Sequence, residues 1–142
     1  MTIKYKKAFD LVPTPFYASE GAACMDLTAM SEPVFNEKGN YWEYDTGIAF
    51  EIPMGFVGLL FPRSSNTKMD LILGNSVGII DSDFRDTVKF RYKEISKLPP
   101  IYQFGDRIGQ IMFIPFPHVD LILVDELSST ERGTGGFGST GT

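Results

Sequence analysis

The chain has 142 residues and a formal net charge of −5. That length suits one domain able to bury its own core, and that charge argues against a surface tracking duplex nucleic acid. A single cysteine, Cys24, and a single histidine, His118, exclude an internal disulfide and a Cys/His zinc site, leaving hydrolytic chemistry to carboxylates, arginines and hydroxyls.

Met1–Asp10 has no apolar run after its lysines, so it does not read as a signal peptide. No stretch approaches the roughly 18 apolar residues that span a bilayer. With one lone thiol, a reducing cytoplasmic setting is expected. In chain order, the first notable stretch is Ala22 to Leu27, which places Asp26 inside a small, apolar run. A carboxylate there needs a partner or a role; the alternative is a turn aspartate at a strand end. Ile48, Phe50 and Ile52 alternate with smaller or charged residues, and Phe56 to Phe61 is short and rich in β-formers, so both are expected strands. Pro62-Arg63-Ser64-Ser65 follows, opening the one helical candidate, a turn or two over Ser64 to Met69. It reads as an ordinary N-cap with a surface arginine, or as an anion site of hydroxyls, free N–H groups and a guanidinium.

From Leu73 to Phe84 the chain reads as a tight hairpin whose second strand carries Asp81 to a strand end. Bare backbone at Gly78 could meet the edge of a base, and a buried Asp81 could hold a water and accept its proton; a structural hairpin with a turn aspartate is an equal reading. Val88, Phe90 and Tyr92 alternate with Lys89, Arg91 and Lys93, giving a strand with one buried and one wet face. Gly105 to Gln110 is a Gly-Asp turn feeding a strand over Ile108 to Ile114, which by itself reads as a hairpin turn with Arg107 in a structural salt bridge, and Leu121 to Val124 is the last expected strand. Frequent Gly and Pro between short strands indicate an all-β sandwich, jelly roll or barrel. The end, RGTGGFGSTGT from Arg132, has no apolar face to bury. It separates from the domain of residues 1–131 as an arm, 132–142, expected to be mobile when empty.

Taken in order, five segments resemble the five motifs of the trimeric dUTPase family. They are Ala22 to Leu27, Pro62 to Ser65, Asn75 to Phe84 with the pattern N-x-x-G-x-I-D-x-x-aromatic, Gly105 to Gln110, and the Gly-rich run from Arg132. Each alone is weak; all five, with the last at the C-terminal end, are specific. The resemblance implies an all-β, jelly-roll-like fold of the β-clip type. It also implies a homotrimer with sites at subunit interfaces and an arm that closes over a neighbour's site. The implied reaction hydrolyses dUTP at the α-phosphate to dUMP and pyrophosphate, which keeps uracil out of DNA and supplies dUMP for dTMP synthesis.

Carried over by motif, Asp81 would be the base that activates water, with Asp26 supporting the site. Asn75, Gly78 and Ile80 would read uracil and Phe84 would pack on the deoxyribose. Arg63, Ser64, Ser65 and Gln110 would meet the phosphate chain. Arg132, Ser139 and Thr140 on the arm would reach the distal phosphates, with Phe137 stacked over the base beside Gly138. The implied cofactor is Mg²⁺, held by substrate phosphates and waters with no direct protein ligand. No membrane or nucleic-acid partner is implied, and a protein regulator is left open.

Three positions depart from the pattern. Phe84 stands where Tyr is usual and Asp86 where Gly is common, which bears on sugar selectivity; Ala23 replaces a frequent Gly. Two other readings are weighed. A dCTP deaminase shares the fold but relies on a glutamate near the base, and the Asn75–Phe84 motif has none. A purely binding β module is opposed by the reactive residues kept in all five motifs. Cellular and phage-encoded versions read alike, so host cytoplasm is the equivalent location for the latter.

Overall fold

A computed structural model describes residues 1–97, 101–136 and 139. Eleven strands and one short helix make up the described fold: β1 (Lys4–Lys7), β2 (Phe16–Tyr17), β3 (Met25–Thr28), β4 (Val34–Asn36), β5 (Tyr41–Asp45), β6 (Ile48–Glu51), β7 (Phe56–Phe61), a 3-10 helix (Ser64–Lys68), β8 (Leu71–Leu73), β9 (Gly78–Ile80), β10 (Lys89–Glu94) and β11 (Arg107–Pro115). They form a two-stranded ribbon β1-β6, a four-stranded sheet β4-β5-β10-β8 and a five-stranded sheet β2-β3-β11-β7-β9. All pairings are antiparallel. The expected jelly-roll-like, all-β class holds.

The alternation read from the sequence is the alternation of burial. Ile48, Phe50, Val88, Phe90 and Tyr92 point inward, and Lys89, Arg91 and Lys93 point outward. The two larger sheets meet face to face where β10 lies over β11. The Tyr92 hydroxyl donates to the Ile108 carbonyl, and a Cβ built on Gly109 would fall 2.2 Å from the Phe90 ring. Only a hydrogen at position 109 lets the sheets approach this closely. Tyr44, Tyr92 and Tyr102 pack around this seam with ring centroids 5.5–6.1 Å apart, Tyr44 edge-on to the other two and Tyr92 tilted against Tyr102.

Two expectations are corrected. Leu73 to Phe84 is no hairpin: β8 pairs with β10 in one sheet and β9 with β7 in the other. The bend at Gly74–Val77 hands the chain from one sheet to the other. It closes with Ser76 N–H donating to the Leu73 carbonyl and Val77 N–H to the Asn75 carbonyl, around Ser76 at φ 62°. Leu121 to Val124 is no strand; it is irregular, and Leu121, Ile122 and Leu123 are 94, 83 and 100% exposed. An apolar run makes a strand only when a partner edge accepts its backbone, and among the described residues no strand pairs with this one. The helical turn after Arg63 is present as the 3-10 helix, with Arg63 as its N-cap and no side-chain capping bond.

Candidate active site

A cavity of about 680 Å³ gathers Asn75, Gly78, Ile80, Asp81 and Phe84. Their common origin is the crossing segment: β9 is short, lies at the edge of its sheet, and has only β7 beside it. Its other edge therefore leaves backbone N–H and C=O groups unpaired. Gly78 is buried against Leu60, whose side chain a Cβ at 78 would meet at 2.9–3.2 Å. Asp81 follows β9 directly and is exposed, where a buried carboxylate was expected. Phe84 N–H donates to the Asp81 carbonyl at 3.2 Å, so a turn brings the Phe84 ring to the same cavity. Asp86, the second acidic lining residue, accepts from the Thr87 N–H.

The opposite wall was not anticipated. The wet face of β10, with Lys89, Arg91 and Lys93, lines the cavity together with Tyr41. Arg91 lies over the Tyr41 ring at 4.8 Å and its Nε donates to Glu43 at 2.8 Å. Lys89 faces Asp45 at 3.8 Å. Alternation predicted that these side chains point outward; only the sheet pairing decides what they face.

A second polar cluster holds the other predicted side chains. Asp26 on β3 and Gln110 on β11 are direct cross-strand partners, and Gln110 also faces Phe61 of β7. The Asp26 side chain is 10% exposed. It accepts from Arg63 Nε on one oxygen and from Arg107 Nη1 on the other, both at 3.0 Å. Gln110 Nε2 donates to the Pro62 carbonyl at 2.9 Å. Arg63 Nη1 lies 3.4 Å from Ser65 Oγ, and Ser64 and Ser65 are exposed at the start of the 3-10 helix. The helix is anchored through Asn66, which donates to the Leu71 carbonyl and accepts from the Tyr102 hydroxyl.

The two clusters stand apart in one chain. Asp26 is three strands from β9, and its row meets β7 at Phe61, while Asp81 follows the pair Ile80–Gly58. Strand spacing and rise then put Asp26 roughly 20 Å from Asp81. None of Asp26, Arg63 or Gln110 lines the cavity. On the arm, Arg132 is exposed and its Nε donates to the Gly135 carbonyl, while Ser139 N–H donates to the Gly136 carbonyl. Neither Arg132 nor Ser139 lines the cavity of its own chain. Phe137, Gly138 and Thr140 lie outside the described residues.

Comparison with known proteins bears on these observations together. A dUTPase family model matches residues 10–141. A deoxyuridine 5'-triphosphate nucleotidohydrolase of Desulfitobacterium hafniense (strain DSM 10664 / DCB-2) is 40% identical over 147 residues, covering 99% of this chain and 97% of that protein. One of Shewanella sp. (strain MR-7) is 39% identical over 133 residues, covering 92% and 88%. Among solved structures, a mutant Staphylococcus bacteriophage 80alpha dUTPase with dUpNHpp superposes with a TM-score of 0.82 at 25% identity, covering 99% of both chains. The ordered motifs, the fold and a family match spanning nearly the whole chain lead to one assignment: the chain belongs to the dUTPase family.

Proposed function

We propose that the chain hydrolyses dUTP to dUMP and pyrophosphate, and that each working site is shared between copies of a homotrimer. The observation that carries this reading is the division of the motif residues into two clusters about 20 Å apart. One cluster has the cavity, with room for a nucleotide, and the exposed carboxylate of Asp81. The other has guanidinium, amide and hydroxyl groups suited to phosphates. A cyclic assembly lets one copy's Arg63 cluster face the next copy's Asp81 cavity. The bare apolar run around Leu121–Leu123 supports association as well, since a monomer would leave it in water.

In this reading the free edge of β9 meets the uracil rim. Backbone groups there match the O4 acceptor and N3–H donor, and mismatch the amino group and N3 acceptor of cytosine. Asn75 and Ile80 flank the base and Phe84 packs on the deoxyribose. Asp81 accepts the proton of a water attacking the α-phosphorus; the bond to the bridging oxygen breaks and pyrophosphate leaves. Arg63, Ser64, Ser65 and Gln110 hold the phosphate chain, and the arm closes from a neighbour, with Arg132, Ser139 and Thr140 on the distal phosphates and Phe137 over the base. No three acidic, imidazole or thiol groups converge among the described residues. Asp81 and Asp86 alone offer too few oxygens for the octahedral shell of Mg²⁺. That donor set is compatible with Mg²⁺ carried by the triphosphate and waters, which would neutralise charge on the leaving pyrophosphate. No glutamate lines the cavity, which disfavours deamination of dCTP.

A complementation assay tests the shared site. Asp81→Asn and Arg63→Met are each expected to lower dUTP turnover, the first by about 10³-fold. Co-assembled, each supplies what the other lacks, and about a quarter of the interfaces are intact with random mixing. Pyrophosphate release returning to that level supports sharing; none returning rejects it. A wild-type panel of dUTP, dCTP, dTTP and UTP, monitored for pyrophosphate and ammonia, tests the reaction itself: inert wild type favours a purely binding protein, and ammonia from dCTP favours a deaminase.

A further inference from the structure

We propose that Arg107 is a positioning residue for the phosphate-binding half of the site: it fixes the Asp26 carboxylate so that Asp26 sets the direction of the Arg63 guanidinium. The inference rests on the reading above, in which Arg63 meets the phosphate chain.

The strand geometry carries it. Gln110 faces Asp26 across the β11–β3 pair, so their side chains share one face. Arg107 is three residues before Gln110, an odd separation, and in a regular strand it would project from the other face. The register shifts between Arg107 and Gly109, so Arg107 faces Thr28 and Gly109 faces Leu27. Ile108 and Gly109 are consecutively buried, as an inserted residue requires. This β-bulge turns Arg107 onto the face that carries Asp26 and Gln110. The bulge is locked by packing, because Gly109 sits under the Phe90 ring with no room for a side chain.

The hydrogen bonds show what the re-aimed side chain does. The two Asp26 oxygens are divided, Oδ1 to Arg63 and Oδ2 to Arg107, each at 3.0 Å. A carboxylate with one partner can turn about its terminal torsion; one held at both oxygens by charged donors cannot. Arg63 is thus engaged through Nε, which leaves Nη2 for a ligand and Nη1 on the long 3.4 Å contact with Ser65 Oγ. Gln110 anchors the backbone just before it through the Pro62 carbonyl. Strand β11 therefore controls Arg63 twice, through its side chain and through its main chain. Arg107 itself is half exposed, at 49%, and Asp26 stands between it and Arg63.

A double-mutant cycle on the full-length protein tests this, with dUTP kinetics and thermal unfolding measured for wild type, Arg107→Met, Arg63→Met and the pair. Arg107→Met is expected to raise KM about tenfold with kcat within about twofold. Arg107→Lys, which can still donate to Oδ2, should recover most of that loss. In the Arg63→Met background, Arg107→Met should change KM by less than about twofold, because the group it positions is gone. A wild-type KM for Arg107→Met, or an equal effect in both backgrounds, overturns the inference. Should Arg107→Met not fold, Arg107→Thr, a strand-forming side chain too short to reach Oδ2, is compared in the two backgrounds, where a KM rise present only with Arg63 intact is expected and equal changes overturn it. Wild type that leaves dUTP intact removes the functional reading and this inference with it. Active wild type with an indifferent Arg107→Met removes this inference alone.

Discussion

At the scale of single residues, Tyr44 and Tyr92 make a useful contrast. Both are fully buried aromatics on adjacent strands, yet the Tyr44 hydroxyl makes no well-formed hydrogen bond among the described residues, only a poorly aligned approach to the Tyr102 backbone, while the Tyr92 hydroxyl donates to Ile108. A buried hydroxyl without a well-formed bond loses its hydration and gains little, so its removal relieves most of a penalty. Tyr44→Phe is therefore expected to leave stability unchanged or raise it by up to about 1 kcal/mol. Tyr92→Phe strands a buried carbonyl and is expected to lower stability by about 1–3 kcal/mol. Urea unfolding of the two variants checks the opposite signs, and equal losses would contradict this account. Little of it was legible beforehand: alternation marked Tyr92 as inward-facing, but which hydroxyl finds a carbonyl depends on how β10 crosses β11.

At the scale of elements, β9 and the arm carry the functional reading. The motif from Asn75 to Phe84 was legible by its residues, and the structure does bring Asn75, Gly78, Ile80, Asp81 and Phe84 to one cavity. Its expected hairpin was wrong because a Gly-Asn turn between apolar runs is compatible with two pairings. Here β7 and β10 compete successfully for the two halves. That outcome leaves β9 with one free edge, which a hairpin would have consumed. The run from Leu121 shows a different limit, since β-propensity cannot create the missing partner strand. For the arm, truncation before Arg132 should leave the fold intact, because Arg132 and Gly133 to Gly136 add no buried core residue. It should lower dUTP turnover by about 10²-fold through lost positioning. Melting and pyrophosphate release on the truncated protein check this: full activity rejects the closing role, and a large fall in Tm rejects the assumed independence of the arm.

For the whole molecule, the aromatic seam between the sheets sets an alkaline limit. Burial pushes the Tyr44 phenol up to about 12 and raises Tyr92 and Tyr102 as well. Unfolded phenols ionise near about 10. As pH rises past that value the unfolded chain releases its phenolic protons first, so it is favoured. The contribution of these tyrosines is complete below about pH 10 and is lost as pH climbs through about 12. Thermal melts from pH 8 to 12, with phenolate absorbance followed alongside, should show a falling Tm above about pH 10 and ionisation coincident with unfolding. A flat Tm to pH 12 would contradict the burial argument.

The sequence alone determined the all-β class, the faces of β6 and β10, the turn after Arg63 and the identity of the motif residues, because each follows from local period and residue chemistry. Tertiary structure decided what those residues do for one another. The bulge at Arg107–Gly109, the split of Asp26 between two arginines, the free edge of β9 and the basic wall facing Asp81 all depend on strand pairing between distant segments. Such pairing is settled by which edges and faces meet when the sheets close, a global competition that no short window of sequence records.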